Sequence, residues 1–538
     1  MKKNINKSYR TMLCAFCWTL IVWIMPGCTD NFDEYNTNKT QLMELSDTDL
    51  GGLFSKSLGS QFENINYSRG KGTISDHLSG YFTSTFTIYE QNTINTGWIT
   101  RIWATYYTNA LPALVAILDL TKEKNSVAYS VAMIWKCYMM QRVTDYWGPV
   151  PYTDAASGKA VTQFESQKDI YYNMFQDLAS AVQILEEKLQ KEPNLNVFGA
   201  ADMMYNGDVS KWIRFANTLR LRMAIRISNV DPDKAKQEAE AAVAGDLIES
   251  NNDNAMLKTT QITSGGNGLS NMWAYFQNIM SASMESLLKG YDDPRVGIYF
   301  NKVDAANIAP SFPDQVKGNA GGYHGMSNGF ESVYAAFLKA HSLVGDRWKD
   351  DNWNITPIDY IHAAETCFLK AEGTWRGWNM GGSAQQFYEK GIELSLKQWR
   401  SDLSDGSIRN YINSTLTPVA PDNYPYYDPP MTDIPVKFSG DREKQYEQII
   451  TQKWISIYPE SMEAWAEYRR TRLPKLYAKK YSGNGNILLS KNMIITRVPY
   501  PDSEKNSQPE EVAKAVEMLG GPDLESTPLW WDVHQNGN

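Results

Sequence analysis

Residues 360–399 read YIHAAETCFLKAEGTWRGWNMGGSAQQFYEKGIELSLKQW. In the first half Ile361, Ala364, Phe368, Ala371 and Trp375 recur at spacings of three and four, the period of one helix face. A glycine-rich turn follows at 377–382. In the second half Tyr388, Ile392, Leu396 and Trp399 make a matching stripe. Neither amphipathic helix buries its apolar face alone, so the two predict an antiparallel pair. Ala363, Ala364 and Ala371 are small enough to let the helices approach closely.

This helix–turn–helix is similar to a tetratricopeptide unit, although its consensus signature is incomplete. Outward from it the same periodicity predicts helices over 46–65, 102–120, 126–146, 167–189, 210–230, 445–458, 460–470 and 509–519. Ser46 is the cap expected for the first. Asp231-Pro232 opens a further helix, with a capping side chain before a proline in the first turn. Two stretches lack a clean period. Residues 70–97 mix Ser, Thr, Gly and aromatics, and 250–355 carry many glycines and aromatics, so both read as loops and short elements. The glycines at 265, 266 and 268 have no following Lys-Ser/Thr and make no phosphate loop. Residues 418–435, rich in Pro, Tyr and Asp, read as a long loop.

The N-terminus has a different logic. Lys2, Lys3, Lys7 and Arg10 precede an apolar run from Met12 to Met25 broken only by Thr19. A basic start and a short apolar core read as a secretory signal. The run falls short of the roughly 20 residues a spanning helix needs. It ends at Met25-Pro26-Gly27-Cys28, similar to a bacterial lipobox, although Met25 and Pro26 depart from its commoner residues. The expectation is a signal over 1–27, a lipidated Cys28 and a polar tether over 28–45. A thioether-linked diacylglycerol with a further acyl chain anchors stably where one chain is marginal. Cys14 and Cys17 spell C-x-x-C, but they leave with the signal. Cys137 and Cys367 sit in apolar helical patterns and read as buried free thiols.

Composition excludes some classes. The net charge is −9, and removing 1–27 takes four positive charges and no negative ones, giving −13. A nucleic-acid binder needs a basic face for phosphates, so this balance argues against one. No G-x-S-x-G or H-E-x-x-H occurs, and the cysteines make no zinc pattern. Glu463 and Glu467, one turn apart, resemble a catalytic carboxylate pair. The neighbouring Arg469 and Arg470 make an ion-paired helix face the better reading. His362 and Glu365 are one turn apart, but no other histidine joins them, which favours a non-metal role. No catalytic residue, cofactor or metal is expected.

Several segments carry a family resemblance: MMQRVTDYWGPVPYTDA at 139–155, KWIRFANTLRLRMAIRIS at 211–228, YIHAAETCFLKAEGTW at 360–375, TQKWISIYPESMEAWAEYRRTRLP at 451–474, RVPYPDSEKN at 497–506, and Leu529-Trp530-Trp531-Asp532. In this order they resemble the SusD/RagB family of Bacteroidetes outer-membrane nutrient-binding lipoproteins, over the whole chain after Cys28. The resemblance implies a mainly α fold, with tetratricopeptide-like helix pairs and a loop-rich capping region, placed at about 66–101 and 250–356 within a domain over 46–538. It implies a cell-surface receptor, not an enzyme, that binds a glycan or peptide and passes it to a SusC-like TonB-dependent transporter. Acidic residues after Cys28 resemble the family's surface-export signal. The rivals are a surface-anchored glycoside hydrolase or peptidase and a purely structural lipoprotein.

Family binding residues vary with ligand, so the site is read from chemistry. Aromatic rings offer an apolar face with a polar edge. Rings in helix stripes are committed to packing, which removes Trp103, Trp212, Trp375, Trp399, Trp454 and Trp465. Loop rings remain: Tyr89, Trp98, Trp273, Tyr323, Trp348 and Trp353, with Asn92 and Arg347 as polar neighbours. Each is equally able to fold into the capping region.

Overall fold

A computed structural model describes residues 46–60, 70–84, 92–159, 161–259, 266–270, 278–349, 352, 355–534 and 536. Cys28, the tether, Tyr89, Trp273 and Trp353 lie outside the described residues.

The pair read from residues 360–399 is present as α9 (Ala363–Trp375) and α10 (Ala384–Trp399). Its packing is close because Gly391 on α10 faces the Phe368 ring; a Cβ there would lie 2.8 Å from the ring. Ser383 and Gln386 cap α10 reciprocally, each side chain bonding the other's backbone N–H.

The earlier helices are α1 (Asp47–Gly59), α2 (Thr96–Ala104), α3 (Leu111–Thr121), α4 (Ser126–Trp147), α5 (Gln167–Lys191), α6 (Val209–Arg226), α7 (Pro232–Val243) and α8 (Ala282–Gly290). After the pair come α11 (Asp405–Ile412), α12 (Arg442–Ser456), α13 (Ser461–Thr471) and α14 (Pro509–Leu519). Successive helices α3 to α7 pack mainly on their chain neighbours, and α9 bridges α6 to α12. This neighbour-by-neighbour stacking is that of helical repeats. Asp231 caps α7 with Pro232 in the first turn, as its sequence predicts.

The rest is short and irregular. Strand β1 (Phe82–Thr83) pairs antiparallel with β3 (Ile279–Met280), and β2 (Ala255–Leu257) with β4 (Ile358–Ile361). Here the sequence reading differs: Ile361 belongs to the helical stripe read from 360–399, but it closes a four-residue strand that precedes α9. Ile358 and Ile361 favour extended backbone once β2 supplies a partner.

Where the helices meet, the core is ionic. Arg222 grips Glu365 at 2.7 and 2.6 Å. Arg226 meets Glu463 at 2.6 Å and also Glu467. Arg470 bonds Glu372 at 2.7 Å through two nitrogens and Glu467 at 2.8 Å. Lys453 reaches Glu467 at 3.0 Å, and Arg142 forks onto Glu460 at 2.9 and 3.0 Å. All these groups are buried. Burial alone would raise Glu467, but Arg470, Lys453 and Arg226 outweigh it and hold its carboxyl well below the usual range. Glu463 and Glu467 are therefore structural partners of arginines. Glu365 turns to Arg222, and His362 to Asp359 at 3.0 Å.

The motif Trp530-Trp531 closes this core. Trp531 donates its indole N–H to Asp145 at 2.8 Å, which Tyr171 also meets at 2.6 Å. The Arg469 guanidinium lies 3.7 Å from the Trp465 ring centre and 4.9 Å from that of Trp531. Cys137 and Cys367 are buried free thiols, both pushed up chiefly by burial, Cys367 to about 12.

Candidate ligand-binding site

Asn95 starts the site. Its side chain accepts the Trp98 backbone N–H at 3.2 Å and caps α2. Trp98 therefore stands in the first helical turn instead of a loop, half-buried. The Asn-Thr pair before Gly97 was the sequence signal for this earlier start. The ring borders a cleft of about 310 Å³, lined among the described residues by Thr73, Ile74, Thr93, Ile94, Asn95 and Thr96. An indole and two isoleucines give apolar surface; three threonines and an asparagine give hydroxyl and amide groups. None of these carries a formal charge. The volume is at the small end for a ligand pocket, and the lining suits a neutral, hydroxyl-rich ligand with apolar C–H faces.

Asn92 faces elsewhere. It is buried, with φ of +57°, a left-handed conformation that asparagine tolerates. Its carbonyl accepts from Asn484 at 2.9 Å. It borders a second cavity of about 240 Å³, with Trp465, Tyr468, Tyr477, Met493 and Ile494. Burial pushes the Tyr477 phenol up to about 12, so it stays a neutral donor at physiological pH.

The remaining described candidates border neither cavity. Tyr323 is half-buried, with its hydroxyl against Gly297 and Lys302 Nζ 5.8 Å from its ring centre. Arg347 is exposed and lies over Trp399, 5.3 Å from the ring centre. Trp348 is 0 % exposed, tilted against Trp399 at 5.8 Å and edge-on to Tyr458 at 5.5 Å. This corrects its reading as a free loop ring: the short turn Asp346–Trp348 folds it into the core.

Sequence reasoning also missed a cluster of titratable groups. Glu285, His324 and Asp422 converge with ligand atoms within 4.8 Å of one another. Lys289 already stands between the two carboxylates, at 2.7 and 2.8 Å. Burial first, then Lys289, pushes His324 down to about 4.

Fold and cavities together define a class: a helical-repeat scaffold carrying loop-built binding cavities. The chain matches the family described as SusD-like, Susd and RagB outer membrane lipoprotein, over residues 32–532. A chitin-binding SusD homologue from Flavobacterium johnsoniae is 33% identical, with a TM-score of 0.80, and the match covers 91% of this chain and 100% of that one. A SusD homologue from Bacteroides vulgatus is 29% identical over 90% of this chain and 98% of its own, with a TM-score of 0.79. A SusD-like protein from Bacteroides thetaiotaomicron is 29% identical over 91% and 100%, with a TM-score of 0.78. No curated protein matches. The chain belongs to the SusD/RagB family of outer-membrane lipoproteins.

Proposed function

We propose that this chain is a lipid-anchored cell-surface receptor that holds a neutral glycan in the Trp98 cleft and delivers it to a SusC-like TonB-dependent transporter. The observation that carries the reading is a cleft whose described lining has no formal charge and joins the half-buried Trp98 to three threonines and an asparagine. Two similar structures supply the first ligand to try: the Flavobacterium johnsoniae homologue and a second protein, 27% identical, are both called chitin-binding. The domain reading belongs here too, with a signal over 1–27, a tether over 28–45 and loop-rich capping parts at about 66–101 and 250–356.

Cys28 supplies the anchor. Among the described residues no helix is long and apolar enough to cross a membrane. Cys28→Ala is expected to move the protein from the membrane to the soluble fraction; unchanged membrane partition would refute lipidation at this site. The tether holds the domain near the membrane, where high local concentration favours even weak contacts with a transporter. The stacked helices offer the stiff surface for such contacts, and mild extraction of a tagged copy should bring the barrel with it.

Calorimetric titration with chito-oligosaccharides, a wider glycan panel and a peptide panel tests the ligand. Trp98→Ala should weaken glycan binding by about 1 kcal/mol or more, roughly fivefold, with the fold intact. Binding unchanged in that variant would displace the site. Shorter products appearing in the binding mixture would replace receptor with hydrolase.

A further inference from the structure

A second surface lined by rings shares none of the described lining residues of the Trp98 cleft. Phe312 meets Phe337 at 5.3 Å between ring centres, and Phe337 meets Tyr334 at 6.4 Å and Tyr424 at 6.1 Å. Tyr334 touches Tyr426 at 5.9 Å, and Tyr424 touches Tyr427 at 5.9 Å. The six rings form one unbroken series from three segments of chain. None is buried outright, and Tyr427 is 62% exposed.

The band is built on a support. Residues Ser332–Ala340 form a 3₁₀ helix, whose three residues per turn put Tyr334 and Phe337 on one face. Their planes lie 34° apart, while Phe312 and Tyr424 stand edge-on to Phe337 at 78° and 60°. Beneath them Ile279, Met326, Phe330 and Leu338 make a small buried core on which Tyr334 and Tyr426 pack. The tyrosine loop is braced from within. Asn423 donates to Ser327 at 2.6 Å and to Asp428 at 2.7 Å, and the Tyr426 hydroxyl accepts the Glu331 N–H. Five of the six rings are half-buried and Tyr427 is exposed, so the band is a partly exposed aromatic surface of the kind that marks interaction sites.

The chemistry points to an uncharged occupant. The charged groups of the tyrosine loop are already matched: Lys480 with Asp428, Lys289 with Asp422. The aliphatic side chains lie underneath. Glu331 and Lys339, both exposed, flank the band with opposite charges; between them it offers ring faces and phenol hydroxyls, the pair of features that a pyranose ring meets with its C–H face and its hydroxyls. We propose that this band is a second carbohydrate-contacting surface, which takes an extended stretch of polysaccharide while the Trp98 cleft takes a short piece. The proposal rests on the glycan reading of the cleft.

The full mature protein tests it against insoluble chitin and a panel of neutral polysaccharides in affinity gels, with soluble chito-oligosaccharides measured in parallel. Tyr424→Ala with Tyr427→Ala, and Tyr427→Ala alone as the variant least able to disturb the fold, should weaken polysaccharide retention by about tenfold and about threefold. Oligosaccharide affinity should stay within about twofold of wild type in both tyrosine variants, whereas Trp98→Ala should weaken oligosaccharide binding. Polysaccharide retention unchanged in both tyrosine variants overturns the second surface while Trp98-dependent oligosaccharide binding stands. Loss of transporter co-purification with glycan binding intact overturns it in favour of a protein-docking face. Absence of any glycan binding in wild type removes the reading beneath it as well.

Discussion

The helical junction and the two ring-lined surfaces use opposite chemistry. At the junction of α4, α6, α9, α12 and α13, arginines, a lysine and glutamates are buried and paired. At the Trp98 cleft the described lining has no formal charge. The difference divides labour: charge fixes how the helices meet, while the described cleft lining is neutral. A buried ion pair contributes little net stability over apolar packing, but breaking one strands a charge.

Three tests break or sharpen that contrast. The largest effect falls on the junction. Glu467→Ala takes a shared carboxylate from Arg226, Lys453 and Arg470; Arg226 keeps Glu463 and Arg470 keeps Glu372, but the buried junction is left one negative charge short, which should cost about 3–5 kcal/mol in denaturant unfolding. A loss below about 1 kcal/mol would mean the junction tolerates stranded charge.

Acid is the next largest. Burial pushes both His341 and His324 down to about 4. Each folded value lies below the unfolded value of about 6.5, so the unfolded chain binds more protons between the two. This part of the stability is fully present above pH 6.5 and is lost as pH falls towards 4. His341, fully buried, contributes up to about 3 kcal/mol of that loss. His341→Gln should flatten the unfolding profile over that window, and an identical profile would remove the histidine from the account.

The smallest effect belongs to the cleft. Asn95→Ala removes the cap of α2 and should cost about 1 kcal/mol. Because Trp98 sits in that first turn, glycan affinity should fall together with local amide protection. Unchanged protection would separate the cap from the site.

The same contrast explains what was legible in the sequence. Stripes spaced three and four gave the α9–α10 pair, and the Pro509 start and Leu519 end of α14 coincide with its pattern. Local rules suffice there because each helix carries its own period and caps. Trp348 was not legible: its burial depends on Trp399 and Tyr458, distant in sequence. Strand β4 needed β2, a hundred residues away. The tyrosines of 418–435 read as an unremarkable loop because the rings they meet come from Ser332–Ala340. Sites made by loops meeting loops leave no period to read.

The seat of Trp531 on Asp145 has a consequence for timing. The aspartate lies in α4, while the indole that meets it comes 386 residues later. Chains emerge amino end first, and early segments begin to fold before late ones exist. Until Trp531 arrives, α4 holds an acidic group short of one hydrogen-bond donor and a junction open on one side. Closure of the core is thereby linked to the arrival of Trp531, so a chain shortened before it is left with an unclosed junction for quality control to find.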